Sequence, residues 1–187
     1  SWDKKIVCIF NGTIYNFKEI KNFLENHKVI FKTKSDTEVL VNSFSYWGDK
    51  CFNYFDGMWS AGFYNFKEKK FTLSRDYLGQ KPLFYSLINK KKLIFSSEIT
   101  GIFKYSKEFN ICKKNLKLYH QFGYTPAPYT VYNEIFQVSP GEIINFKTKI
   151  IKSFFWDLKN GPDYNLFFKK NSKANLQKNF LSTLNNY

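Results

Sequence analysis

Arginine is almost absent from this sequence. Arg75 is the single arginine among 29 basic residues in a chain of 187, and the others are lysines. The formal net charge of +14 would by itself suggest a nucleic-acid partner. A surface that binds phosphates or base edges is expected to use the planar guanidinium of arginine. We therefore predict no nucleic-acid partner and interpret the lysines as a solvated surface, with an acidic partner as the alternative.

Long apolar runs and paired cysteines are also absent. No run approaches the roughly 20 apolar residues that a membrane-spanning helix needs, so we predict no membrane association. The cysteines Cys8, Cys51 and Cys112 are odd in number, widely spaced and outside any CxxC motif, which excludes a disulfide framework and argues against a metal site. This cysteine usage is typical of a reducing compartment and favours a cytoplasmic protein.

The pattern of apolar residues predicts an α+β fold. A hydrophobic share of 43% and an aromatic share of 21% exclude a disordered chain. The predicted helices are residues 16–26, a helix from Ser35 to Trp47 and residues 113–122; the predicted strands are residues 4–10, ending at Asn11-Gly12, and residues 58–65, 70–75, 82–86, 93–96, 142–146 and 150–155. Ser35 and Glu38 have the spacing of a reciprocal capping box.

Two short motifs have both a structural and a functional interpretation. Asn11-Gly12 is typical of a hairpin turn. An asparagine amide beside a glycine N–H can also supply two donors to one oxyanion. Asp36 is typical of an acid in the first turn of a helix, but a carboxylate at the mouth of a pocket can also hold a substrate ammonium. Neither motif alone decides between these interpretations.

Five motifs in a fixed order carry a resemblance to a known family: FNGTIYNF, KSDTEVLVNSF, FDGMWSAGFYN, LSRDYLGQKPLFY and FSSEI. Together they resemble the glutamine-amidotransferase domain of glutamine-hydrolysing asparagine synthetases. The continuation GYTPAPYTVYNEIFQVSPGEII, followed by FFWDL, resembles the stretch by which those enzymes pass into their synthetase domain. The resemblance covers residues 5–157.

The resemblance implies the four-layer αββα sandwich of the N-terminal-nucleophile hydrolases, truncated here and followed by the start of an α/β synthetase domain. Residues 1–104 are then expected to form a class II glutamine amidotransferase domain that is incomplete at its N-terminus. Residues 105–187 are expected to be a connector and the beginning of the synthetase domain. In this family the nucleophile is an N-terminal cysteine. We expect it to lie upstream of Ser1, so that these residues alone are inactive.

The resemblance also assigns site residues. It implies that Asn11 and Gly12 form the oxyanion hole for the tetrahedral intermediate, and that Asp36 binds the α-ammonium of glutamine. Thr13 occupies a position where the family usually has glutamate; it can exchange one hydrogen bond with glutamine but supplies no charge. Arg75 and Asp76 are predicted to form an internal ion pair with loop hydrogen bonds, since only a guanidinium offers a bidentate fork.

The function implied by the resemblance is ATP-dependent asparagine synthesis, with glutamine hydrolysis supplying ammonia for the amidation of aspartate. Glutamine, aspartate and ATP are the expected small-molecule partners, and a homodimer is left open. No cofactor is expected on these residues, whereas ATP and Mg²⁺ are expected in the synthetase domain. The alternatives are an amidotransferase of surface-polysaccharide or other acceptor biosynthesis on the same scaffold, and a degenerate, non-catalytic amidotransferase-like module.

Overall fold

The computed structural model of the protein describes residues 1–89, 91–105 and 109–157. Ser1–Phe155 form one compact unit, and a second unit begins at Trp156. Of this second unit only Trp156 and Asp157 are described, so the architecture below is that of the first unit.

The described helices and short strands occur in groups along the chain: one strand, two helices with a 3₁₀ segment, four strands, two helices and three strands. The helices are α1 (Phe17–Asn26), α2 (Asp36–Trp47), α3 (Ile99–Phe103) and α4 (Lys113–Phe122), with a 3₁₀ segment at Gly48–Tyr54. The strands are β1 (Ile6–Ile14), β2 (Gly57–Asn65), β3 (Lys70–Arg75), β4 (Phe84–Ile88), β5 (Lys92–Ser96), β6 (Ile135–Gln137), β7 (Glu142–Phe146) and β8 (Ile150–Phe154). The predicted α+β class is confirmed.

Two antiparallel sheets organise the unit. The first sheet has the order β1-β2-β3-β7-β8 and the second the order β5-β4-β6. Side chains of α1, α2 and the 3₁₀ segment form one core with β1 and β2, and this core includes the fully buried Trp59, Phe52 and Leu40. A smaller core joins β3 and β7 to the second sheet. The first sheet therefore lies between a helical layer and the second sheet.

The first strand is longer than the sequence pattern predicts. It was expected to stop at Asn11-Gly12, but β1 continues through both residues to Ile14 and pairs with β2 along its whole length. The hairpin-turn interpretation of Asn11-Gly12 is therefore wrong. The reason is long-range pairing, because Gly12 lies opposite Trp59 on β2. A turn propensity depends only on neighbouring residues, so it contains no information about a strand partner far along the chain.

The compact unit also extends beyond residue 104, where the resemblance suggests the end of the amidotransferase domain. Strand β6 pairs with β4, and β7 pairs with β3. These strands complete the sheets that the earlier residues begin, so the structure draws the limit of the unit at Phe155 rather than after residue 104. Of the predicted segment 105–187, residues 106–108 and 158–187 lie outside the described residues.

Asp3 links the start of the chain to helix α2. Its carboxylate accepts hydrogen bonds from the hydroxyls of Ser1 and Ser45, at 2.6 Å and 3.0 Å, and it pairs with the ammonium of Lys5 at 2.8 Å. Burial alone would raise the pKa of Asp3, but these hydrogen bonds and the ammonium of Lys5 outweigh it. The pKa of the Asp3 carboxyl therefore lies well below its usual range.

The lowered pKa of Asp3 predicts acid sensitivity. The ionised carboxylate stabilises the fold above the unfolded-state pKa of about 4, and that contribution is lost as the pH falls from there through the lower folded-state pKa. We expect Asp3→Asn to lower the free energy of unfolding near neutral pH and to flatten its decline in acid. Urea unfolding at a series of pH values measures both effects. An Asp3→Asn protein with the wild-type decline in acid would contradict the prediction.

Candidate functional site

The C-terminal half of β1 carries the first group of predicted site residues. Along β1, exposed and half-buried positions alternate between its two buried ends, Ile6 and Ile14. Asn11 and Thr13 fall on the exposed face, together with the exposed apolar side chains of Val7 and Ile9. Because successive side chains of a strand point to opposite faces, Asn11 and Thr13 are presented side by side on the same face.

Gly12 allows β1 and β2 to approach each other unusually closely. A Cβ atom at Gly12 would collide with the carbonyl oxygen of Met58 and would lie 2.8 Å from the Cα of Trp59. A Cβ atom at Gly57 on β2 would in turn collide with the carbonyl oxygen of Thr13. The two glycines thus form a reciprocal close contact, which fixes the backbone at Gly12 against β2.

Asp36 is the first residue of helix α2 and lies beside the end of β1. Its Oδ2 atom accepts a hydrogen bond of 3.1 Å from the backbone N–H of Ile14. The helix begins here because Ser35 has an extended backbone and its hydroxyl accepts the N–H of Glu38 at 3.2 Å. The N-cap therefore fixes the position of the Asp36 side chain at the start of the helix.

The second half of the predicted capping box is wrong. Glu38 does not reach back to Ser35; its carboxylate accepts the backbone N–H groups of Lys32 and Thr33, at 2.8 Å and 2.6 Å, and the hydroxyl of Thr33 at 2.6 Å. Burial would raise the pKa of Glu38, but these hydrogen bonds lower it. Glu38 thus holds the loop that precedes α2 and leaves Asp36 as the first-turn acid that contacts β1.

These contacts bring two predicted groups together. Asp36 is bonded to Ile14, the residue that follows Asn11-Gly12-Thr13 on β1. The arrangement places a carboxylate beside a strand that offers an amide side chain, a glycine backbone and a hydroxyl. Chemically, such a set can bind a ligand that carries both a cation and a carbonyl oxygen on which negative charge develops.

Arg75 and Asp76 lie at the end of β3 and organise the loop that follows it. Arg75 donates to two carbonyl oxygens of this loop, those of Lys81 at 2.7 Å and Gly79 at 2.6 Å. It also donates to the carbonyl oxygen of Val138, which follows β6, at 2.8 Å. Burial lowers the pKa of Arg75, and the nearby Asp76 carboxylate opposes that shift. The predicted loop hydrogen bonds are present, but among the described contacts the two side chains are not paired with each other: the guanidinium binds carbonyl groups. The Asp76 carboxylate instead binds backbone N–H groups.

Two of the cysteines lie in surroundings that suppress the reactivity of their thiols. Burial raises the pKa of Cys8 to about 11. Burial, together with the Asp49 carboxylate, raises the pKa of the fully buried Cys51 well above its usual value. Both thiols are therefore protonated near neutral pH and are poor nucleophiles. Within residues 1–89, 91–105 and 109–157, no group of three or more His, Cys, Asp and Glu side chains could hold a metal ion.

The sequence pattern did not single out Trp59 as part of this region. Trp59 lies opposite Gly12, and its backbone N–H donates to the Oδ2 atom of Asp76 at 3.1 Å. The indole is completely buried and packs near Phe52 and Tyr77. The sequence signal that could have indicated Trp59 is its place in the DGMW motif, two residues after Gly57. Its pairing with Gly12 could not be predicted, because it depends on the register of β1 and β2.

Comparisons with known proteins agree with this architecture. The family model for the glutamine amidotransferase domain matches residues 1–156. A putative glutamine-hydrolysing asparagine synthetase 2 of Methanocaldococcus jannaschii is 34% identical, over 88% of this chain and 32% of its own length. Glutamine-hydrolysing asparagine synthetase 1 of Bacillus subtilis is 30% identical, over 94% of this chain and 25% of its own length. The chain thus spans between a quarter and a third of these relatives.

The fold has counterparts among solved structures. Glutamine phosphoribosylpyrophosphate amidotransferase from Bacillus subtilis, complexed with ADP and GMP, matches with a TM-score of 0.57 and 20% identity, over 83% of this chain and 30% of the other. The match confirms the predicted N-terminal-nucleophile amidotransferase fold. Among the described residues, no helix has the length and apolar character needed to cross a membrane.

Proposed function

Since the chain belongs to the glutamine amidotransferase domain family, we propose that it forms the glutamine-hydrolysing part of an ATP-dependent asparagine synthase. Glutamine is the substrate of this part, and hydrolysis of its side-chain amide releases ammonia. A second part of the complete gene product uses that ammonia to amidate aspartate. The names of the relatives support the overall reaction, and the family match supports the first step.

The residues of this chain bind glutamine and stabilise its transition state. The Asp36 carboxylate pairs with the α-ammonium of glutamine through a charge-assisted hydrogen bond. The Asn11 side-chain amide and the Gly12 backbone N–H donate to the amide oxygen as it acquires negative charge. Thr13 exchanges one hydrogen bond with glutamine in place of a charged contact. The nucleophilic thiol is supplied from outside these residues.

One observation carries the proposal: the hydrogen bond of 3.1 Å between the Asp36 carboxylate and the backbone N–H of Ile14. This bond joins the start of α2 to the strand that carries Asn11, Gly12 and Thr13. It therefore brings the cation-binding and oxyanion-binding groups, which are separated along the sequence, to one end of β1.

The remaining parts of the proposed function lie elsewhere in the gene product. ATP and Mg²⁺ activate aspartate in a synthetase domain, and residues 105–187 include the connector that leads to it. The protein acts in the cytoplasm, and a homodimer is compatible with the proposal. We expect the lysines to form no nucleic-acid site, and therefore expect no steeply salt-dependent binding of DNA or RNA.

The test is an assay of the complete gene product for glutamate released from glutamine. It is combined with an assay for asparagine formed from aspartate and ATP·Mg²⁺, with either glutamine or ammonium as the nitrogen donor. We expect glutamate release and donation from both sources. Product from ammonium alone would contradict the proposed glutaminase step.

The same assays distinguish the two alternatives. Glutamate release without amidation of aspartate would favour another carboxylate acceptor, such as a sugar acid of surface-polysaccharide biosynthesis. Absence of glutamate release and of any amide product would favour a non-catalytic amidotransferase-like module.

A further inference from the structure

The Asp76 carboxylate is completely buried and is surrounded by backbone N–H groups. Its Oδ1 atom accepts from Leu78 and Gln80, at 3.1 Å and 2.9 Å. Its Oδ2 atom accepts from Lys81 at 3.0 Å and from Trp59 at 3.1 Å. Three of these donors belong to the loop that Asp76 itself begins. The fourth, Trp59, belongs to β2 and is the one that leads towards the candidate site.

Asp76 binds both polar groups of the Trp59 backbone. Besides accepting the Trp59 N–H through its side chain, Asp76 donates its own backbone N–H to the carbonyl oxygen of Trp59 at 2.9 Å. The Trp59 side chain is also fixed, because its indole N–H lies 3.3 Å from the hydroxyl of Ser74 in the core. Loss of the carboxylate would thus free the Trp59 backbone N–H together with the three loop N–H groups, while the indole would remain packed.

Any movement of the Trp59 backbone is transmitted directly to Gly12. The two residues are register partners, and the gap between them leaves no room even for a methyl group at Gly12. Tightly packed backbones do not absorb displacements, so β1 has to follow β2 at this point. A positional change of a few tenths of an ångström at the Gly12 N–H is enough to weaken a hydrogen bond to a developing oxyanion.

We propose that Asp76 is a positioning residue for the oxyanion hole, acting through the backbone of Trp59 on Gly12. This inference rests on the proposed glutaminase function. It gives Asp76 a role beyond the stability of its loop: the carboxylate sets the distance between the Gly12 N–H and the amide oxygen of the substrate. Asp76 touches neither the substrate nor the reacting atoms.

The test compares Asp76→Asn with Arg75→Lys in the complete gene product. Asp76→Asn keeps the shape of the side chain but replaces one acceptor oxygen by an amide group that repels backbone N–H donors. Arg75→Lys is the matched control. It loosens the same loop at the carbonyl groups of Gly79, Lys81 and Val138, and none of these hydrogen bonds involves Trp59.

We expect Asp76→Asn to lower kcat for glutamate release and to leave KM for glutamine nearly unchanged. For Asp76→Asn we expect kcat for glutamate release to fall roughly 10- to 100-fold, because a misplaced donor loses much of its effect on the transition state. KM for glutamine and the ammonium-dependent rate should stay within about twofold of the wild type. Arg75→Lys should lower the melting temperature at least as much while leaving kcat within about twofold of the wild type.

Two results would overturn the inference. Equal losses of kcat in both variants, in proportion to their melting temperatures, would mean that Asp76 only stabilises its loop. A wild-type protein without glutaminase activity would overturn the proposed function and this inference together, so the two failures are distinguishable. Asp76→Glu, which keeps the charge and displaces it by one methylene, serves where Asp76→Asn is insoluble, and the same separation of kcat from KM is expected.

Discussion

Replacing Gly12 with alanine is expected to destabilise the protein severely and to abolish glutamate release. The new methyl group would overlap the carbonyl oxygen of Met58 and crowd the Cα of Trp59. Both are backbone atoms within the β1–β2 pairing, so neither can swing aside as a flexible side chain can. We expect a loss of about 3 kcal/mol or more in the free energy of unfolding, at the upper end of the cost of overpacking.

Gly48→Ala is the matched control for this substitution. Gly48 ends helix α2 with a φ of 60°, and a Cβ atom there would have no neighbour within 4 Å. Its replacement therefore costs backbone strain alone, about 1 to 3 kcal/mol for a conformation that is accessible almost only to glycine. Calorimetry of the complete gene product, together with the yield of soluble protein, compares the two variants. Equal shifts of the unfolding transition would show that the contact between Gly12 and Met58 relaxes.

Helices α2 and α4 could be predicted closely because their limits are set locally, whereas α3 was not predicted. Helix α2 begins after Ser35, whose hydroxyl caps it, and is followed by Gly48, which adopts a positive φ. Helix α4 likewise ends before Gly123, which has a left-handed backbone. Each of these residues acts within one turn of the helix end, so the sequence alone contains the necessary information.

The strands and the site depend on contacts that the sequence pattern does not contain. Strand β1 passes through Asn11-Gly12 because β2, far along the chain, pairs with it. Glu38 binds the loop at Thr33 rather than returning to Ser35. The contact between Asp36 and Ile14 joins residues from different elements. The resemblance to a family indicated the candidate site residues, and the tertiary structure showed which of them are in contact.

The tasks proposed for Asp36 and for the Gly12 N–H predict different kinetic effects when either contact is lost. A group that binds the α-ammonium equally in the ground state and in the transition state affects KM and leaves kcat unchanged. A group that binds the oxyanion affects kcat, because the negative charge develops only during the reaction. We therefore expect loss of the Asp36 contact to change KM and loss of the Gly12 contact to change kcat, although α2 and β1 are in contact.

Asp36→Asn is expected to raise KM for glutamine by roughly 10- to 100-fold, since a hydrogen bond to a charged group contributes about 1.5 to 3 kcal/mol. The asparagine side chain keeps one oxygen that can accept the N–H of Ile14, so the link between α2 and β1 is preserved. We expect kcat for glutamate release and the ammonium-dependent rate to remain within about threefold of the wild type.

Glu38→Gln provides the matched control for Asp36→Asn, because Glu38 is the other acid in the first turn of α2. Both substitutions remove a negative charge that favours the start of the helix, which is worth about 0.3 to 1 kcal/mol. Of these two acids, only Asp36 is proposed to contact the substrate, so Glu38→Gln should lower the melting temperature without changing KM. If both variants keep the wild-type KM, Asp36 acts only as a helix-terminal acid that ties α2 to β1, and the ammonium of glutamine is bound elsewhere.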